Sequence, residues 1–147
     1  MKFLFLLGFL FFPMTVHGVR MSRCAFARRI KELGLSGYHG VSLANWVCLA
    51  QWESDFNTAA TNYNSWDRST DYGIFQINSH YWCDDDKTPH ATNGCGVRCS
   101  QLEETNLVKA VECAKQIVRQ QGISAWVGWK NHCEGHNLSG YLEGCSL

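Results

Sequence analysis

The sequence predicts an α+β fold, with a helical lobe, a small antiparallel β-hairpin lobe, a cleft between them and four disulfides. Three observations carry this. Apolar residues recur at helical spacing in four stretches. A turn-rich centre with a strand-like run lies between the second and third of them. Eight cysteines, an even number, are spread from Cys24 to Cys145.

In chain order, a leader comes first. Phe3 to Phe12 is an apolar run too short to span a bilayer, and Pro13 ends it. Val16-His17-Gly18 then places small or medium residues where a signal peptidase reads. Residues 1–18 are therefore expected to be a signal peptide, with one domain over 19–147 and a secreted, extracellular destination. A mature chain of this size buries roughly two-thirds of its unfolded surface, enough for a core. Cys24, Cys48, Cys83, Cys95, Cys99, Cys113, Cys133 and Cys145 all follow the leader. Cys95, Cys99 and the His132-Cys133 pair raise zinc as an alternative to disulfides. No CxxC pair occurs, however, and exported thiols oxidise.

The first helix is expected from about Arg23 to Leu33, stopped by Gly34. The second starts at Ser42, a good N-cap, and carries Leu43, Trp46, Val47 and Ala50 on one face. The third carries Leu107, Ala110, Val111, Ala114, Ile117 and Val118 before Gly122. A short fourth covers Ser124 to about Lys130. Between the second and third, Asn62 to Ser69 is rich in turn formers. Asp71 to Asn78 reads as a strand, and Cys83 to Cys99 as a loop tied by its own cysteines. A hairpin inserted between helices opens a cleft between lobes, a usual place for a ligand.

Charge excludes some partners. Lys and Arg number 13, as do Asp and Glu, and losing Lys2 with the leader leaves 12 against 13, a net charge of −1. No basic surplus draws the chain to nucleic acid or to an anionic membrane, and neither partner is expected. The chain is expected to be a monomer without cofactor or metal.

Two carboxylates are the candidate chemistry. Glu53 lies in a second stripe on the second helix, with Leu49, Trp52 and Phe56. Apolar neighbours would desolvate its charged form and raise its pKa, suiting it to protonate a leaving oxygen near neutral pH. Spacing alone leaves equal room for the side chain to turn to solvent. Asp71 opens the strand among Asn62, Asn64, Ser69, Thr70 and Asn78, whose hydrogen bonds would keep it ionised. By itself it reads more readily as an Asx-type turn residue. Together, one protonated and one ionised carboxyl are what glycoside hydrolysis requires. Sugars also need flat apolar faces. Trp82, in the cysteine-tied loop, and Trp126, at the fourth helix, are candidates to supply them, whereas Trp46 and Trp129 fit core positions; for any one tryptophan core packing is the default reading.

Several segments resemble the C-type lysozyme and α-lactalbumin family. They are Ser42 to Ala50, Trp52-Glu53-Ser54, Ala60 to Asn64, Ser69 to Ser79, Tyr81-Trp82-Cys83 and Ala125-Trp126-Val127. The resemblance runs the length of the mature chain, with all eight cysteines in register. It implies that Glu53 is the proton donor, desolvated against Trp126, and Asp71 the nucleophile or charge stabiliser. The substrate would be peptidoglycan or a chito-oligosaccharide, cut at the β-1,4 bond after N-acetylmuramic acid with retention, an antibacterial activity. Sugar contacts would come from Asn62, Asn64, Gln76, Asn78, Tyr81, Trp82, Trp126 and the backbone of Ala125. The implied disulfides are Cys24–Cys145, Cys48–Cys133, Cys83–Cys99 and Cys95–Cys113, a pairing that sequence alone does not choose.

Rival readings follow from the same resemblance. An α-lactalbumin-like regulator of a galactosyltransferase would usually lack Glu53. A weakly catalytic sugar-binding protein, such as the lysozyme-like proteins of reproductive tissue, would lose one of the carboxylates. Calcium-binding members carry ligand Asp side chains where this chain has Lys109 and Ala110, so no calcium site is expected. Three departures stand out. Trp66 occupies a turn position usually held by a small residue. Gln120 lies near a cleft-rim position that often carries Asp. The cationic surplus common in the family is missing, and Asp84-Asp85-Asp86 sets three acidic residues beside Trp82.

Overall fold

The computed structural model describes residues 18–147, so the leader lies outside the described residues except for Gly18. Four α-helices and one three-stranded sheet make up the regular structure among them. Helix α1 (Arg23–Glu32) starts where the Ser22 hydroxyl accepts from the Ala25 N–H. Helix α2 (Leu43–Ser54) starts in the same way at Ser42, as expected. Helix α3 (Val108–Gln121) ends at Gly122, whose φ of 78° suits a residue without a Cβ. Helix α4 is Val127–His132.

The predicted apolar faces are the buried ones. Leu43, Trp46, Val47 and Ala50 of α2 meet Ala110, Val111, Ala114, Ile117 and Val118 of α3 in a single core. Trp46 is its centre, edge-on to Phe75 at 5.9 Å and to Trp126 at 5.7 Å between ring centroids.

Strands β1 (Thr61–Asn64), β2 (Ser69–Tyr72) and β3 (Ile77–Asn78) form an antiparallel sheet in that order. The register pairs Asn62 with Asp71 and Asp71 with Asn78. Two expectations need correction here. Asp71 to Asn78 is not one strand, because the chain leaves the sheet at Gly73 (φ 81°) and returns past Gln76 (φ 52°). Ile74 and Phe75 between them are both fully buried. Consecutive burial defeats the alternation of a strand facing one core, and the segment dips into the helical lobe instead. The fourth helix does not run unbroken from Ser124. A short 3₁₀ turn, Ile123–Ala125, precedes an extended Trp126 (φ −91°, ψ 113°), whose indole N–H donates to the Phe75 carbonyl at 2.8 Å.

All four disulfides pair as the resemblance implied. Cys48–Cys133 joins α2 to the end of α4, and Cys95–Cys113 joins the long loop to α3. That loop is also held by charge. Arg98 bridges Asp84 at 3.2 Å and Asp86 at 2.6 Å. Asp85 accepts from the Tyr72 hydroxyl at 2.6 Å and from the Thr88 hydroxyl and backbone N–H. The three aspartates therefore do not present three free charges beside Trp82. Asp84 and Asp86 share Arg98, which offsets one of their two charges, and Asp85 is a structural acceptor. No described helix is long and apolar enough to cross a membrane.

Candidate active site

A cleft of about 560 Å³ lies between the lobes. Glu53, from the last turn of α2, and Asp71, from β2, both line it. The sequence left Glu53 open between solvent and burial, and the structure places it in the cleft beneath the 126–128 segment. Burial pushes its carboxyl up to about 7, against the Gly128 N–H, which pulls it down, and with a smaller push from the charge of Asp71. A carboxyl poised there is protonated at mildly acidic pH and sits close to the pH where it can give and retake a proton.

Gly128 was not legible as a site residue. Its N–H donates to Glu53 Oε2 at 3.1 Å. A Cβ added there would stand 2.7 Å from the same oxygen. The one available signal was a glycine just inside a helix, a usual mark of close approach. Gly128→Ala should therefore keep the fold, since alanine is the better helix former. It should also displace the Glu53 carboxyl and cut turnover by up to about 10²-fold, the cost of an ångström-scale misplacement. Steady-state hydrolysis beside a thermal melt checks this, and unchanged turnover would refute it.

Asp71 sits on a polar ladder. Asn78 Nδ2 donates to Asp71 Oδ1 at 2.8 Å and to the Ser69 hydroxyl at 2.8 Å. Asn64 also donates to Ser69, which donates in turn to Asp67 at 2.6 Å. The expectation that hydrogen bonds dominate at Asp71 is corrected. Burial is the larger effect and lifts the carboxyl above its ordinary range, while Asn78 and Asn64 pull it back. Glu53 is the one raised to near neutrality, and surroundings that set two carboxyls apart suit acid–base work.

Of the expected sugar contacts, Asn64, Gln76, Asn78, Tyr81, Trp82, Ala125 and Trp126 line the cleft together with both carboxylates. Asn62 does not line it. It donates to Gln76 Oε1 at 2.7 Å instead. Gln76 spends its own amide N–H groups on the Ala60 and Gly73 carbonyls, so it braces the chain where it leaves the sheet. The helical wall carries Ile117 and Gln121 rather than Gln120. No group of three or more potential metal ligands occurs among the described residues.

The C-type lysozyme/alpha-lactalbumin family profile matches residues 19–145. The chain is 72% identical to Lysozyme C of Trichosurus vulpecula and 61% identical to Lysozyme C-1 of Bos taurus, in both cases over all 147 residues of each chain. It is 66% identical to Lysozyme C of Camelus dromedarius over 126 residues, 85% of this chain and 97% of that one. The chain belongs to the C-type lysozyme/alpha-lactalbumin family, and to its enzymatic, lysozyme side.

Proposed function

We infer that the chain is a secreted, monomeric, antibacterial glycoside hydrolase that cuts peptidoglycan at the β-1,4 bond after N-acetylmuramic acid, with retention of configuration. The observation that carries this reading is a carboxyl buried to a pKa of about 7, facing Asp71 across one open cleft. Glu53 gives its proton to the glycosidic oxygen as the bond from that oxygen to the anomeric carbon breaks. An Asp71 carboxylate oxygen bonds to the anomeric carbon, or holds its developing positive charge. Water then attacks the anomeric carbon, its proton passes to Glu53, and the Asp71 bond is released. The two inversions sum to retention, and both carboxyls return to their starting states. Trp82 and Trp126 are largely buried and offer the sugar the ring edges that line the cleft, which the backbone of Ala125 also borders. A sugar-binding protein without catalysis is disfavoured, because neither carboxyl is lost or buried away from the cleft.

Proton NMR of a chito-oligosaccharide digest tests the mechanism. The β-anomer should appear first and mutarotate later. An initial α-anomer would overturn the retaining scheme, and failure to solubilise peptidoglycan would overturn the substrate.

A further inference from the structure

The β1–β2 turn carries a side chain that the fold does not explain. Trp66 is 80% exposed, the most exposed of the large apolar residues described. No aromatic ring or cation stacks on it among the described residues. So exposed an indole adds little to the core. It nevertheless lines the same cleft as Glu53 and Asp71. The turn that presents it is fixed, since Asp67 Oδ1 accepts from both the backbone N–H and the hydroxyl of Ser69. On the helical wall Val127, 66% exposed, is a second outward apolar group lining the cleft.

Trp66 and the other cleft aromatics come from different segments. Trp66 lies in the turn between β1 and β2, whereas Tyr81 and Trp82 follow β3. All three line the cleft with Asp71, so a glycan lying in it meets Trp66 as an aromatic position separate from Tyr81 and Trp82.

We propose that Trp66 is a sugar-stacking position that extends the binding cleft at the β1–β2 turn, taking a pyranose ring of the same glycan. A pyranose presents axial C–H groups to an aromatic face, and a ring held ready in a fixed turn loses little freedom on binding. The position rests on the hydrolase reading above and makes the enzyme sensitive to chain length.

The test uses the mature chain with Glu53→Gln, so that binding is read without turnover, and compares chitobiose, chitotetraose and chitohexaose by calorimetry. Trp66→Gly in that background should weaken hexaose binding by about 2- to 10-fold, with a loss that grows with chain length. Trp66→Phe should restore most of it. In the active enzyme, Trp66→Gly should raise KM for the hexaose more than it lowers kcat. It should also shift the cleavage position, read by mass spectrometry of hexaose labelled with ¹⁸O at its reducing end. Unchanged hexaose affinity and an unchanged cleavage position would overturn the proposal. Length-dependent binding through Trp66 in a wild-type chain that cleaves nothing would overturn the hydrolase reading and uphold the stacking position.

Discussion

Glu53→Gln is expected to abolish useful hydrolysis and at the same time to stabilise the fold at alkaline pH. The rate loss follows from removing the acid, and such groups typically contribute about 10²–10⁴-fold. Stability follows from the same burial. Folding lifts the Glu53 carboxyl from 4.5 to about 7, so between those values the native state holds a proton that the unfolded chain releases. This contribution is fully present below pH 4.5 and is lost as pH rises to about 7. Above that, the folded protein holds a desolvated charge that glutamine does not have. The variant's stability relative to the parent should therefore grow from pH 4 to pH 8 by about 1–3 kcal/mol, allowing for water that reaches Glu53 from the cleft. Denaturant unfolding at both pH values, beside hydrolysis of a chito-oligosaccharide, measures the two effects. A stability difference that does not change with pH would sink the burial argument. In the parent, activity should fall as pH rises through about 7, as Glu53 loses its proton.

Charge should separate turnover on small substrates from lysis of whole cells. Bacterial walls are anionic, and this chain lacks the positive field that concentrates a basic enzyme on them. Steering of that kind changes association rates by roughly 10–10³-fold at low salt. Chemistry at Glu53 and Asp71 should be little affected, because exposed charges more than about 10 Å away are screened at 0.1 M salt. Ordinary cleavage of neutral chito-oligosaccharides is expected, with weak lysis compared with a strongly basic relative. Asp84, Asp85 and Asp86 are unsuitable for testing this, because replacing them would break the Arg98 bridges and the Tyr72 bond. Glu104, Glu134 and Glu143 are exposed and take part in no ion pair among the described residues. Changing all three to Gln takes the mature net charge from −1 to +2. Lysis should rise at low salt and converge with the parent at high salt, while oligosaccharide turnover stays constant. Equal lysis at every salt concentration would rule the account out.

The helices were legible because their signals are local. Ser42, Gly122 and the stripes on α2 and α3 each act within a few residues. The segment from Gly73 to Gln76 was not, because its course is set by a distant partner. The Leu102 carbonyl comes so close to Gly73 that a Cβ there would stand 2.2 Å from it, and no sequence window spans both residues. Both carboxylates could be named as candidates from their neighbours. The raised pKa of Glu53 depends on burial by segments distant in sequence, which outweighs the opposing Gly128 N–H, and Asp71 is likewise lifted by burial that its neighbours in sequence do not reveal. Gln76 shows the same limit from the other side. Its position beside the cleft is visible in the motif, but its commitment to two backbone carbonyls is not.

Phe75 belongs to both lobes. Its chain continues the strand that bears Asp71, its ring packs on Trp46 of α2, and its carbonyl receives the Trp126 indole that borders the cleft. The Trp126 side of the cleft is thus anchored in the interior of the protein. Heat or denaturant that loosens this seam dismantles the catalytic pair and the globule in the same cooperative event. Inactivation and unfolding should therefore share one transition curve, and a bound glycan that props the cleft would be felt by the whole molecule as added heat resistance.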